Sequence, residues 1–284
     1  MWPAPCEYHA AHSAREAVDL LGELPGAVVL AGGLSLVPAM RRRLRRPAHL
    51  VDINPAGDLA GISEKDGVVT VGATCRQAAL AAWAVGRHPL LAGALAHVGT
   101  PLTRERGTVA GIVANGDPAT QLAAVCAVLG ATAVLRDAGG ERRLPASRLF
   151  AGGGIGGPAL LAAVEFPAWH PGDRDAFLQA GRRAVGSAMG GVAARVRFDA
   201  GGTCERADVA PYVRGHDGSR LDAVGTRLAG TGLSEKDIAA AADIAAGTVP
   251  TASDVLATAG YRTHLVRVLV RRALTHARRT QEAR

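Results

Sequence analysis

Apolar positions along the chain follow two rhythms: a helical period, and short continuous runs closed by glycine or proline. Ser13-Ala14-Arg15-Glu16 has the form of a capping box, and Ala14, Ala17, Val18 and Leu21 behind it share one helical face. Pro25-Gly26 closes that helix. Val28–Leu30 predicts a short buried strand, and the stretch Ala31-Gly32-Gly33-Leu34-Ser35-Leu36-Val37-Pro38 predicts a turn that opens a helix. Pro38 is tolerated in a first turn because the amide it lacks has no partner there. This helix is expected to carry Leu36, Val37, Met40 and Leu44 inward, with Arg41, Arg42, Arg43, Arg45 and Arg46 mostly outward, and to stop at Pro47.

The pattern continues with a strand at His49–Ile53 and a strand pair over Asp58–Thr74 that turns near Lys65-Asp66-Gly67. Thr74 is placed to cap a helix through Ala78–Ala84, and a small helix follows at Leu90–Val98. Pro118 opens a helix that runs through Leu129; Ala131–Leu135 is a strand and Leu160–Phe166 a further apolar segment, closed by Pro167. Pro171-Gly172-Asp173 marks a domain boundary. Beyond it, Phe177–Arg183 and Gly190–Phe198 read as strands, and a Gly201-Gly202 turn leads into Ala207–Val213. Ser234-Glu235-Lys236-Asp237 caps a helix through Ala246, and a last helix from about Tyr261 turns Leu265, Val268 and Leu269 inward and Arg267, Arg271 and Arg272 outward. This second region is expected to be a small antiparallel sheet with helices on one face, an α+β pattern.

Two glycine-containing stretches carry the candidate chemistry. At Gly32-Gly33 the missing Cβ atoms let successive amides converge on an anion, helped by the positive end of a following helix. The stretch from Gly99 to Pro118, expected as small-residue loops, lets a ligand approach its backbone closely and forms a second candidate cradle. Gly152-Gly153-Gly154-Ile155-Gly156-Gly157 matches G-x-G-x-x-G in form only; no strand precedes it and Pro158 follows, so a flexible loop is expected rather than a Rossmann turn.

Composition narrows the function classes. With 48% hydrophobic and 20% charged residues the chain can bury substantial cores, and 284 residues suffice for two domains. No apolar run approaches the ~20 residues of a membrane span, and Met1–Pro5 carries no basic-then-apolar signal, so a cytoplasmic protein is expected. The net charge of +7 comes mainly from arginine, but aromatics at 4% do not interleave with it, which argues against nucleic acid. The arginines at 41–46 read as a solvated face or as a docking or phosphate surface. Cys6, Cys75, Cys126 and Cys204 are far apart, and the nine histidines show no paired metal spacing, so neither an iron–sulfur cluster nor a zinc site of its own is expected.

Together these stretches resemble the FAD-binding medium subunits of the molybdenum hydroxylases, the carbon monoxide and xanthine dehydrogenase family. Pro3-Ala4-Pro5-Cys6-Glu7-Tyr8-His9 is similar to the opening P-x-x-F-E-Y, and Ala31–Pro38 to the first flavin motif A-G-G-x-S-L-x-P. Pro47–Ile53 is similar to the segment that follows it, and Arg104-Glu105-Arg106-Gly107-Thr108-Val109-Ala110-Gly111 to R-x-R-G-T-I-G-G. Arg182-Arg183, Tyr261–Leu265 and Val268–Leu274 resemble the second domain. The resemblance implies an α+β fold: a two-part PCMH-type FAD-binding domain over residues 1–171, then a smaller α+β domain with an antiparallel sheet over 172–284. It implies FAD as cofactor, contacted at Ala31, Gly32, Gly33, Leu34, Ser35, Leu36, Thr108, Val109, Ala110, Gly111, Gln121, Leu161 and Gln179, with no catalytic residue and no metal ligand in this chain. It further implies a hetero-oligomer with a molybdenum-cofactor large subunit and a small subunit bearing two [2Fe–2S] clusters, electrons passing through FAD to an external acceptor. Several positions depart from the family pattern, among them Ala110 for glycine, Ile112 for a polar residue, Gln121 for aspartate, and Leu178 for a polar residue beside Gln179. Gly186-Ser187 stands where an aspartate is expected. These departures leave two readings, a working electron-transfer flavoprotein or a docking subunit that binds FAD weakly or not at all.

Overall fold

The structure is a computed structural model that describes residues 2–181 and 188–283. The chain forms two compact units, each discontinuous in sequence: Met1–Leu80, Pro101–Gly116 and Thr132–Pro167 make the first, and Ala81–Thr100, Asp117–Ala131 and Ala168–Arg284 the second.

The first unit contains two sheets. One is parallel, in the order β1-β3-β2, from β1 (Glu7–Ala10), β2 (Ala27–Leu30) and β3 (His49–Asp52). β2 and β3 stand where the apolar runs place them. β1 is a polar, half-exposed edge strand without a local signal. The helix α1 (Ala14–Glu23) connects β1 to β2 and buries Ala14, Ala17 and Leu21. Its capping box is half formed: the Ser13 hydroxyl accepts from the Glu16 amide at 3.1 Å, while the Glu16 carboxylate accepts from the His12 amide instead of that of Ser13. The helix α2 (Leu36–Arg41) is shorter than its hydrophobic pattern suggests. Arg43 turns into the left-handed region at φ 59° and ends it ahead of Pro47. Six residues offer little inward surface, so Met40 alone is buried, and Val37 and Leu44, expected inward, are exposed.

The other sheet of this unit is antiparallel, in the order β4-β5-β8-β6-β7: β4 (Ile62–Lys65), β5 (Val68–Gly72), β6 (Thr132–Asp137), β7 (Gly140–Pro145) and β8 (Leu160–Pro167). The β4–β5 hairpin turns through Asp66 and Gly67 at φ 51° and 75°, the two positive values that a tight hairpin turn of the right twist needs. Thr74 does not cap the next helix, α3 (Gln77–Ala84); its hydroxyl donates to the Leu59 carbonyl at 3.0 Å. β7 and the short α8 (Ser147–Ala151) escaped sequence reading because both are polar or brief.

The second unit is built on an antiparallel sheet, β11-β10-β9, from β9 (Asp173–Gly181), β10 (Ala188–Phe198) and β11 (Cys204–Tyr212). The helices α9 (Asp222–Leu228), α10 (Glu235–Thr248) and α11 (Ala259–Glu282) cover one face through Val192, Ala194, Val196 and Val209. The expectation of helices on one face only is corrected: α4 (Pro89–His97) and α7 (Gln121–Leu129) pack on the other face, with the His97 ring 5.6 Å from that of Phe177. The reason lies in β10, where Ala193 is as completely buried as Val192 and Ala194; a strand apolar on both sides must be covered on both. Along α11 the inward positions are Leu265, Val266, Leu269 and Val270, with Val268 only half-buried. The expected strand end at Arg182-Arg183, and Gly186-Ser187, lie outside the described residues.

Candidate cofactor cleft

The cleft of the first unit is built from two backbone bends. The first follows β2. Gly33 takes φ 73°, a left-handed conformation that costs a residue with Cβ roughly 1–2 kcal/mol, and its carbonyl accepts from the Val37 amide to start α2. α2 has six residues and Ser35 makes no side-chain cap, so the macrodipole expected at this bend is small and the turn's own amides are what it offers.

The second bend is not a loop as expected. Residues Val109–Asn115 form a helix, α6, which follows the single turn of α5 (Pro101–Arg104). Thr108 is its N-cap and its hydroxyl accepts from the Gly111 amide at 3.0 Å. Gly116 closes α6 in the left-handed region at φ 67°. Glycine is required there by proximity too, since a Cβ would run into the Gly154 amide. Residues 152–157 form a loop, as expected, and this contact sets the loop against the end of α6. The Gly154 amide donates to the Leu149 carbonyl at 2.7 Å and the Ile155 amide to the Ala114 carbonyl at 3.2 Å, so the segment is held against the end of α6. It follows α8 rather than a strand, in keeping with its rejection as a Rossmann turn.

The two bends meet. A Cβ on Gly32 would overlap the Arg106 carbonyl and lie 2.9 Å from Gly107 Cα. A polar brace holds them together. Arg76 donates from Nη1 to the Arg106 carbonyl at 2.9 Å and from Nη2 to Asn54 Oδ1 at 2.6 Å, and Asn54 Nδ2 donates to the Ala31 carbonyl at 3.0 Å. Burial, and secondarily the charge of Arg106, push the Arg76 guanidinium below its usual pKa; an arginine still keeps its proton. Buried Gln77 fixes the second bend, its amide donating to the Gly107 carbonyl at 2.8 Å and its Nε2 to the Thr108 carbonyl at 3.3 Å. No sequence signal marks Asn54, Arg76 or Gln77, since each is an ordinary polar residue until the fold brings it to a bend.

A cleft of about 430 Å³ opens beside this junction. Of the residues expected to touch cofactor, Ala31, Gly32, Gly33, Leu34, Ser35, Leu36, Thr108, Ala110, Gly111 and Leu161 line it. Val109 does not; its side chain is fully buried in the core. Gln121 and Gln179 belong to the second unit, where Gln121 Nε2 donates to Gln179 Oε1 at 3.3 Å and the Tyr212 hydroxyl donates to the same oxygen at 2.8 Å. Ile112, Ile155 and Leu160 add apolar wall, and Arg45, one of the arginines on the α2 side, reaches the rim. The Ala110 methyl, a departure from the family motif, is accommodated with the residue 3% exposed.

These features fit an extended dinucleotide. Two glycine-dependent bends border the cleft, the Arg45 cation joins its lining, and aliphatic side chains form much of the remaining wall. Fold and cleft together define a two-unit protein whose first unit carries a cleft suited to a dinucleotide and whose second unit is an antiparallel α+β domain. Residues 4–169 match the FAD binding domain in molybdopterin dehydrogenase, and residues 175–277 match the CO dehydrogenase flavoprotein C-terminal domain. The carbon monoxide dehydrogenase medium chain of Hydrogenophaga pseudoflava is 34% identical, with 98% of each chain covered. The alpha subunit of the 6-hydroxypseudooxynicotine dehydrogenase complex of Paenarthrobacter nicotinovorans is 33% identical over 100% of this chain and 99% of its own. A solved structure of Cu,Mo-CO dehydrogenase in its cyanide-inactivated form superposes with a TM-score of 0.91 at 32% identity, covering 98% of this chain and 99% of that one. Quinoline 2-oxidoreductase from Pseudomonas putida 86 gives 0.90 at 28% identity, with 99% of each covered. The chain belongs to the FAD-binding medium subunits of the molybdenum hydroxylase family. Among the described residues no helix is long and apolar enough to cross a membrane.

Proposed function

We propose that this chain is the flavin relay of a three-subunit molybdenum hydroxylase, working in the cytoplasm with a molybdenum-cofactor large subunit and a small subunit carrying two [2Fe–2S] clusters. The observation that carries the reading is that both glycine bends face one cleft and are locked to each other there. FAD, when bound, supplies the redox chemistry, taking electrons from the partner clusters and passing them to an external acceptor. The protein's part is to bind and orient. The amides of Gly32 to Leu36 would hold one side of the diphosphate and the backbone of Thr108 to Gly111 would border the other, the Gly111 amide already donating to the Thr108 hydroxyl, while Leu161, Ile112 and Ile155 would keep water from the cofactor's apolar parts. No residue is asked to be a general acid or base. For Gln121 and Gln179 a cofactor role rests on the family resemblance alone. The family matches support a sequence-domain boundary between 171 and 172.

The test is direct. Purified chain should carry near-stoichiometric FAD by its visible spectrum and by released flavin, and should co-purify with the large and small subunits. Gly33→Val should abolish the flavin while leaving the second unit folded. A colourless protein that takes up no added FAD, or a Gly33→Val variant with undiminished flavin, would overturn the assignment.

A further inference from the structure

We propose that Glu7, His9 and His49 form a binding site for a divalent transition-metal ion of the zinc class, which clips the edge strand β1 to β3. The site is independent of the flavin cleft and invisible in the sequence, where no histidine spacing announces a metal. The parallel register of β1 on β3 creates it. Glu7 pairs with His49, and His9, two residues on from Glu7, returns to the same face of the strand.

The three donor atoms converge. His9 Nε2 and His49 Nδ1 stand 3.2 Å apart, His49 Nδ1 and Glu7 Oε2 3.3 Å, and His9 Nε2 and Glu7 Oε2 3.8 Å. Around a tetrahedral zinc with bonds of about 2.0–2.1 Å, neighbouring ligand atoms stand about 3.3 Å apart. The three donor atoms therefore stand at about the separations of three corners of such a tetrahedron. The two imidazoles are mostly buried, with side chains 25% and 18% exposed, and the Glu7 side chain, 73% exposed, puts the cluster within reach of ions from solvent. Two imidazoles and one carboxylate favour zinc, nickel or copper over calcium or magnesium, which prefer all-oxygen shells. Because β1 lies at the edge of its sheet, is only four residues long and has β3 as its one neighbouring strand, an ion shared with β3 adds a side-chain tie to that single ladder.

The experiment is equilibrium dialysis of the chelator-stripped full chain against micromolar zinc chloride, with calcium chloride as control. Wild type should hold one zinc equivalent more than the His9→Asn/His49→Asn double variant, and no calcium. Hydrogen exchange of the amides at 7–10 should slow on adding zinc in wild type only. Glu7→Gln changes an exposed side chain and should keep the fold; its zinc affinity should fall about tenfold or more through loss of one ligand. Equal zinc uptake by wild type and double variant, no uptake at micromolar zinc, or an unchanged affinity in Glu7→Gln would each overturn the proposal. If the double variant fails to fold, Glu7→Gln decides the matter.

Discussion

Gly32 stands against Gly107 so closely that a Cβ on the first would lie 2.9 Å from the Cα of the second and overlap the carbonyl of Arg106. The two bends of the cleft are thus in van der Waals contact through their backbones, and the absence of one methyl group permits it. Gly32→Ala should drive them apart. Overpacking against main chain costs typically 1–3 kcal/mol, and the displaced amides should lower FAD affinity by at least about tenfold, which is 1.4 kcal/mol. Thermal unfolding and flavin released per chain measure the two effects.

Arg76 and Asn54 hold the same joint from the polar side. Arg76→Met removes a guanidinium that joins the Arg106 carbonyl to Asn54, and Asn54→Ala removes the link to Ala31. A hydrogen bond to a charged group contributes about 1.5–3 kcal/mol, so each variant should lose about 2 kcal/mol of stability and bind FAD more weakly. Because both act on one brace, the double variant should lose less than the sum. Additive losses in a denaturant titration would show that the brace does not act as a unit.

Arg262 is 1% exposed, and its guanidinium donates to the carbonyls of Met189 (3.0 Å) and Ala257 (2.9 Å), to that of Ala252, and to Asp254 Oδ1 at 2.7 Å. Arg262→Met leaves those carbonyls without their donor and should destabilise the second unit by about 3 kcal/mol. The Asp254 carboxyl is held below the usual aspartate range, first by the Arg262 hydrogen bond and then by the Leu256 amide. A carboxylate whose folded pKa lies below its unfolded one stabilises at pH values above the unfolded value, and that contribution disappears as pH falls through the folded value. Asp254→Asn should therefore be less stable than wild type at neutral pH, with the gap closing as pH falls below the unfolded aspartate value of about 3.9. Urea midpoints measured along that range test the sign.

The thiols should differ in reactivity. Burial pushes Cys126 up to about 12 and Cys204 up to about 11, and it raises Cys75 as well. Thiolate is the reacting form, so a disulfide reagent at neutral pH should label Cys6, the one thiol that is not buried, far ahead of the other three. Denaturant should release all four. Rapid native labelling of Cys126 would contradict the packing of α7.

Much of this protein is written locally. Ser234 and Asp237 form the reciprocal capping box that their spacing announces, Asp66-Gly67 turns its hairpin, and Val28–Leu30 with Gly33 produces a strand and a left-handed bend where the residue types demand them. Each depends on atoms within a few residues, so the sequence suffices. The second bend was legible as a glycine-bearing cradle but not as a helix, because Thr108-Val109-Ala110-Gly111 has weak helix propensity and is set by its cap and by Gln77.

What only the tertiary structure decided involves partners distant along the chain. Arg76 reaches Asn54 and Arg106, 22 and 30 residues away, and no local pattern names it. β1, polar and four residues long, exists because β3 offers it a parallel partner, and with it comes the meeting of Glu7, His9 and His49. α4 and α7 leave the first sequence region to cover the second face of the β9–β11 sheet, since burying that apolar face outweighs proximity along the chain. Periodicity and turn chemistry fix which segments form. Which segments meet is decided by the apolar surface and buried polar groups that each must cover, and that balance is struck only once the whole chain has folded.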